Sequence, residues 1–172
     1  MRTLSLRIRD ANGFTLLELL VVVAVIATLA AMVVSQVLRA RMSANEASAI
    51  ASMRAINSAQ QNYSQKCFGF AGDLVELKNA GNFLSPDLTA SNPVAKSSYM
   101  FSLAPSAAAA AIPTPPAGCT GTQSNYYATA VPLTLGVSGT RSFASDGQGT
   151  IFYNTTAAPP TEASFPTDAT IQ

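Results

Sequence analysis

Few side chains in this sequence have the type and spacing to do chemistry. Glu18 stands four residues after Phe14, at the mouth of an apolar run from Leu19 to Val34 that only Thr28 interrupts. A carboxylate within an apolar helix costs roughly 2.5–3.5 kcal/mol on insertion scales at mid-helix, so such a residue calls for a cationic partner and a task. Cys67 and Cys119 are the two thiols. Asp146-Gly147-Gln148-Gly149 places one carboxylate in a tight loop. There is no histidine, which excludes histidine-based triads and histidine-ligated zinc, and two cysteines cannot make a four-cysteine zinc site. No phosphate loop or dinucleotide fingerprint occurs. The sequence therefore predicts no catalytic residues, no metal site and no cofactor.

The elements that must position Glu18 follow from the same stretch. Residues 14–34 give about 31 Å of helix, enough to cross a bilayer. Ahead of them Arg2, Arg7 and Arg9 outnumber Asp10, a bias that keeps the N-terminus cytoplasmic and the remainder on the outer side. A single-pass anchor that never polymerises and a secretory signal cleaved near residue 30 both fit such a segment. The secretory signal fits less well, because the apolar region exceeds the usual 7–15 residues and a helix continues beyond it.

Gly13-Phe14-Thr15-Leu16-Leu17-Glu18-Leu19-Leu20-Val21-Val22-Val23, preceded by a basic leader, resembles the N-terminal signature of type IV pilins and type II secretion pseudopilins. The resemblance covers about the first third of the chain. It implies a cleaved leader (residues 1–13), with a prepilin peptidase cutting between Gly13 and Phe14 and Phe14 becoming an N-methylated N-terminus. It further implies that Glu18 meets the new N-terminal amine of a neighbouring subunit during assembly. Each buried charge is costly alone, and pairing lowers that cost in one axial register only, so the pair sets order more than it adds stability. The implied partners are other copies of the chain in a filament, minor pilins or pseudopilins, the peptidase, an inner-membrane assembly platform and the lipid bilayer. The implied location is the bacterial inner membrane, single-pass, with a periplasmic head, and then the pilus or pseudopilus. The same residues fit a pilus subunit, a secretion pseudopilin or a competence pilin. Many relatives carry a helix-breaking Gly and Pro in the apolar segment. The matching positions here are Ala27 and Ser35, which predicts a smoother helix.

The rest of the chain predicts an α+β, pilin-like fold: a long N-terminal helix on a small three-stranded antiparallel sheet. Neither Gly nor Pro occurs between Phe14 and Phe68, so the membrane part (14–35) should continue as an amphipathic helix (36–66), roughly 80 Å in all. Leu38, Met42, Ala49, Ile50, Met53, Ile56 and Tyr63 form its apolar stripe. The head (67–154) begins with a turn. Asp73 and Glu76 then have the form of a capping box that opens a short helix over 73–80, stopped by Gly81. Residues 85–124, with the Ala/Pro-rich stretch Ala104–Gly118, read as irregular loop. The sheet is expected within 125–154: Tyr126–Leu135, Arg141–Ser145 and Thr150–Tyr153, the last two flanking the Asp146 loop. Residues 155–172 read as a loose tail.

With the head outside the cytoplasm, a Cys67–Cys119 disulfide is expected, two free thiols being the alternative. The Asp146 loop lacks the several carboxylates of a confident calcium site, so a plain turn is expected there. The formal charge is +1; removing the leader takes away three Arg and one Asp and leaves −1. No basic patch argues for nucleic-acid binding.

Overall fold

The computed structural model describes residues 13–171; of the expected leader, residues 1–12 lie outside this range. The chain divides into two compact units, Met1–Val37 and Leu38–Gln172. One helix, α1 (Leu16–Cys67), contributes to both. It runs without a break through Ala27 and Ser35, as the lack of both breakers predicts.

In the first unit every described residue is exposed. Thr28, the polar interruption, donates its hydroxyl to the Val25 carbonyl at 2.8 Å, which hides its polarity on an otherwise apolar surface. Among the described residues α1 is the single helix long and apolar enough to cross a membrane.

The second unit is built on the C-terminal part of α1. Ala49, Met53, Ile56, Ala59, Tyr63 and Cys67 are buried and join α2 (Leu74–Asn79) and the inner sheet face in one core. Leu38, expected in the stripe, is 52 % exposed. Asp73 caps α2 by accepting from the amides of Val75 and Glu76 at 2.7 and 2.9 Å. Glu76 reaches back to the Gly72 amide at 2.7 Å, and Ala80 closes the helix.

The sheet has six strands, not three. β1 (Val94–Lys96), β2 (Tyr99–Pro105), β3 (Tyr126–Pro132), β4 (Ser142–Asp146), β5 (Ile151–Asn154) and β6 (Ala169–Ile171) lie in chain order, each antiparallel to its neighbour. The extra strands come from two stretches read as irregular. β1 and β2 fall within 85–124. The alternation of Tyr99, Phe101 and Leu103 inward is a strand pattern, and the Ala/Pro-rich composition that follows obscures it. β6 falls within the expected tail, which is docked rather than loose. Phe165 stacks on Phe152 with ring centroids 4.2 Å apart, and Tyr127 donates its hydroxyl to the Pro160 carbonyl at 2.5 Å. A buried aromatic, such hydrogen bonds and the pairing of β6 with β5 hold a segment that is otherwise polar.

Glu46 ties α1 to the β3–β4 connection. Its Oε1 accepts from the Thr140 amide at 2.6 Å and hydroxyl at 2.7 Å, and its Oε2 accepts from Arg141 Nε at 2.9 Å and Nη2 at 2.7 Å. Burial pushes its carboxyl upward, but the bonds from Thr140 and Arg141 outweigh burial and hold it below the ordinary 4.5. Truncating one partner of a buried pair strands the other. Arg141 keeps one-third of its side chain exposed, so Glu46→Ala is expected near the lower end, costing about 2–3 kcal/mol in denaturant unfolding. The stabilisation from a depressed carboxyl is complete above its unfolded-state value and disappears as pH falls through the lower folded-state value. Glu46→Gln should therefore flatten the acid limb of the stability profile, and an unchanged acid limb would count against this network.

Candidate assembly site

Thr15 precedes the first residue of α1, and Glu18 occupies the third helical position. The Glu18 amide donates to Thr15 Oγ1 at 3.1 Å. Glu18 Oε2 in turn accepts from the Thr15 amide at 3.4 Å and hydroxyl at 3.3 Å. The reciprocal arrangement satisfies amides that open a helix without partners and places the carboxylate at the positive end of the helix dipole. The Thr-Leu-Leu-Glu spacing carries this signal in the sequence, as Asp73 and Glu76 do. The charge of Glu18 in an apolar run masks that spacing. Phe14 is 76 % exposed. A Cβ built on Gly13 would meet nothing within 4 Å among the described residues, so their packing does not require glycine there.

Behind this cap the apolar side chains of Leu16 to Val34 are uncovered. The first unit thus presents a capped carboxylate, an exposed aromatic one turn before it and an uncovered apolar cylinder. Such a surface is at rest in lipid or against other helices of the same kind.

The two cysteines form a disulfide, Cys67–Cys119. It joins the last residue of α1 to the loop before β3, where Tyr63 donates its hydroxyl to the Thr120 carbonyl at 2.9 Å and Gln60 exchanges two hydrogen bonds with the Ala71 backbone. The Asp146 loop closes as a hairpin turn. Asp146 Oδ1 accepts from the Gln148 amide at 3.0 Å, its carbonyl accepts from the Gly149 amide, and Gly149 takes φ +77°. Asn57 of α1 clasps this turn by donating to the Gly149 carbonyl at 2.9 Å while accepting from Tyr126 and Ser145. Burial pushes the Tyr126 phenol above its ordinary range, so the hydroxyl stays a donor at physiological pH. Among the described residues no three His, Cys, Asp or Glu side chains gather as a metal group would need.

Residues 8–34 match the family model for the prokaryotic N-terminal methylation motif. The chain carries the type IV pilin and pseudopilin signature, and with it a prepilin-type N-terminus. No curated protein matches the chain, and no solved structure does.

Proposed function

We propose that this chain is the structural subunit of a type IV pilus-like filament or a type II secretion pseudopilus. In this reading a prepilin peptidase cuts it between Gly13 and Phe14, the new Phe14 amine is methylated, and the mature chain waits in the inner membrane with its head in the periplasm. An assembly platform then extracts it into a filament of like subunits and minor pilins. The observation that carries this reading is the methylation motif over residues 8–34 ending in an apolar helix that nothing covers. On extraction that surface leaves lipid for neighbouring helices, so the hydrophobic change is small and charge placement can decide order. Glu18 supplies the carboxylate and the cut supplies the amine.

N-terminal sequencing of the chain from its native membrane tests this. Methylated or free Phe14 supports a processed subunit. An intact Met1 would mean an anchor that is never processed, and a start near residue 31 would mean a secretory signal. A second test concerns Gly13. A β-carbon there meets none of the described residues within 4 Å, so in this reading the demand for glycine comes from the peptidase cleft. Gly13→Val should leave membrane insertion unchanged and block cleavage, so that the protein keeps its leader on a denaturing gel. Processing at the wild-type rate would remove Gly13 from the cleavage site.

A further inference from the structure

Beyond Val37, five large hydrophobic side chains are exposed among the described residues: Leu38, Phe68, Leu133, Leu135 and Val137. Three of the five share the connection between β3 and β4, with Leu133 at 54 %, Leu135 at 39 % and Val137 at 66 % exposure. No charged residue occurs between Lys96 and Arg141, so no charge in this loop opposes its transfer to a less polar medium. Much of its backbone is already paired. The amides of Leu133, Gly136, Val137 and Ser138 donate to the carbonyls of Ser98, Gly139, Thr134 and Thr134 at 2.8–3.1 Å, and Gly136 supplies the φ of +81° that the fold-back needs. Unpaired backbone groups make entry into lipid prohibitive for most loops. This one pairs four of its amides internally and displays its aliphatic side chains.

The loop is held at the N-terminal end of the second unit. Asn45 donates to the Ser138 carbonyl at 3.0 Å, and Glu46 binds Thr140 and Arg141 beside it. Asn45 is one helical turn, about 6 Å, past Arg41. Arg39 and Arg41 are exposed and form no ion pair among the described residues. They follow the apolar segment directly, at the level where cations meet lipid headgroups.

We infer that the β3–β4 loop is a second membrane contact, with Leu133, Leu135 and Val137 entering the bilayer interface while Arg39 and Arg41 hold anionic headgroups. The inference rests on the membrane-anchored state in the proposed function. The occupant is lipid because Asn45, which anchors the loop at Ser138, follows Arg41 by four residues and Arg39 by six, so exposed apolar side chains and two cations share one end of the second unit, the pairing that anionic interfaces select. The contact would keep the head against the membrane until extraction withdraws both the helix and the loop.

The chain contains no tryptophan, so single-tryptophan variants of the full chain report local environment without background. V137W, A24W and F68W are reconstituted separately in vesicles of zwitterionic and anionic phospholipid, with and without brominated acyl chains. The expected result is a blue-shifted emission and loss of intensity in brominated vesicles for A24W in the apolar helix and for V137W, with neither change for F68W at the far end of α1. Adding R39Q and R41Q to V137W should remove the part of that quenching which depends on anionic lipid. Quenching of A24W without quenching of V137W overturns the loop contact and leaves the anchored state standing. An unquenched A24W overturns both. A V137W blue shift that follows protein density, without quenching by brominated lipid, assigns the loop to a second copy of the chain and overturns the lipid contact.

Discussion

Glu18→Ala should abolish filaments while the precursor is still cut after Gly13. The substitution removes two things at once, a helix cap and a charge. Losing the cap costs about 1 kcal/mol, which a 52-residue helix tolerates, so membrane insertion and processing persist. In the proposed assembly, losing the charge leaves a neighbour's Phe14 amine buried without a partner. Stranding a buried charge costs roughly 3 kcal/mol or more, over a hundredfold in the association equilibrium. Two further variants separate the contributions. Glu18→Gln keeps a residue type that serves at the third helical position of a capping box but removes the charge, and should fail like alanine. Thr15→Ala weakens the cap and keeps the charge, and should still assemble. Filament yield by shearing or electron microscopy, scored beside leader cleavage on a gel, reads all three. Wild-type assembly of Glu18→Ala would end the role given to this carboxylate. Failure of Thr15→Ala to the same degree would move the role from the charge to the cap.

Reduction of the Cys67–Cys119 disulfide should lower the stability of the head by about 4 kcal/mol, the chain-entropy value for a closed loop of this size. That is a large fraction of the 5–15 kcal/mol typical of a whole domain. The closed segment contains α2, β1 and β2 and the Ala/Pro-rich stretch, whose many small residues and prolines contribute little burial. Gln60 and Tyr63 still fasten residues 71 and 120 to α1 after reduction, so the native fold should survive with a lower unfolding midpoint instead of melting at once. Denaturant unfolding followed by circular dichroism, with and without reductant, measures the shift. Coincident curves would show that these side chains, and not the covalent link, hold the segment.

What the sequence made visible divides along physical lines. The helix was legible because a stretch free of Gly and Pro leaves little else to form, and its observed end at Cys67 is one residue past the expected one. The β4–β5 hairpin was legible because its turn contains two glycines. The β1–β2 hairpin was hidden because its two-residue turn is Ser97-Ser98, both at positive φ. Hairpin turns of this kind usually advertise themselves with Asn or Gly, and serine gives no such signal. Pro93 and Pro105 bracket this hairpin, where strand ends tolerate proline, and made the stretch read as loop. β6 was too short to show a period. At the candidate site, Glu18 stands out as a charge in an apolar run, and that prominence masks the capping spacing it shares with Thr15. Glu46 is, in the sequence, one polar residue among several beyond the apolar run. Its burial depends on Thr140 and Arg141, more than ninety positions away, which no local pattern reveals.

The strand order has a consequence for biogenesis. Every strand neighbours its successor, so the sheet can be laid down in the order in which the polypeptide is synthesised. Each new hairpin needs only the one already formed. The non-sequential partner, α1, precedes the whole sheet and is on hand as a template before β1 arrives. Local pairing of this kind keeps loop-closure entropy small and favours rapid folding. It also confines the loss from a stalled or clipped C-terminus to β6, the outermost strand.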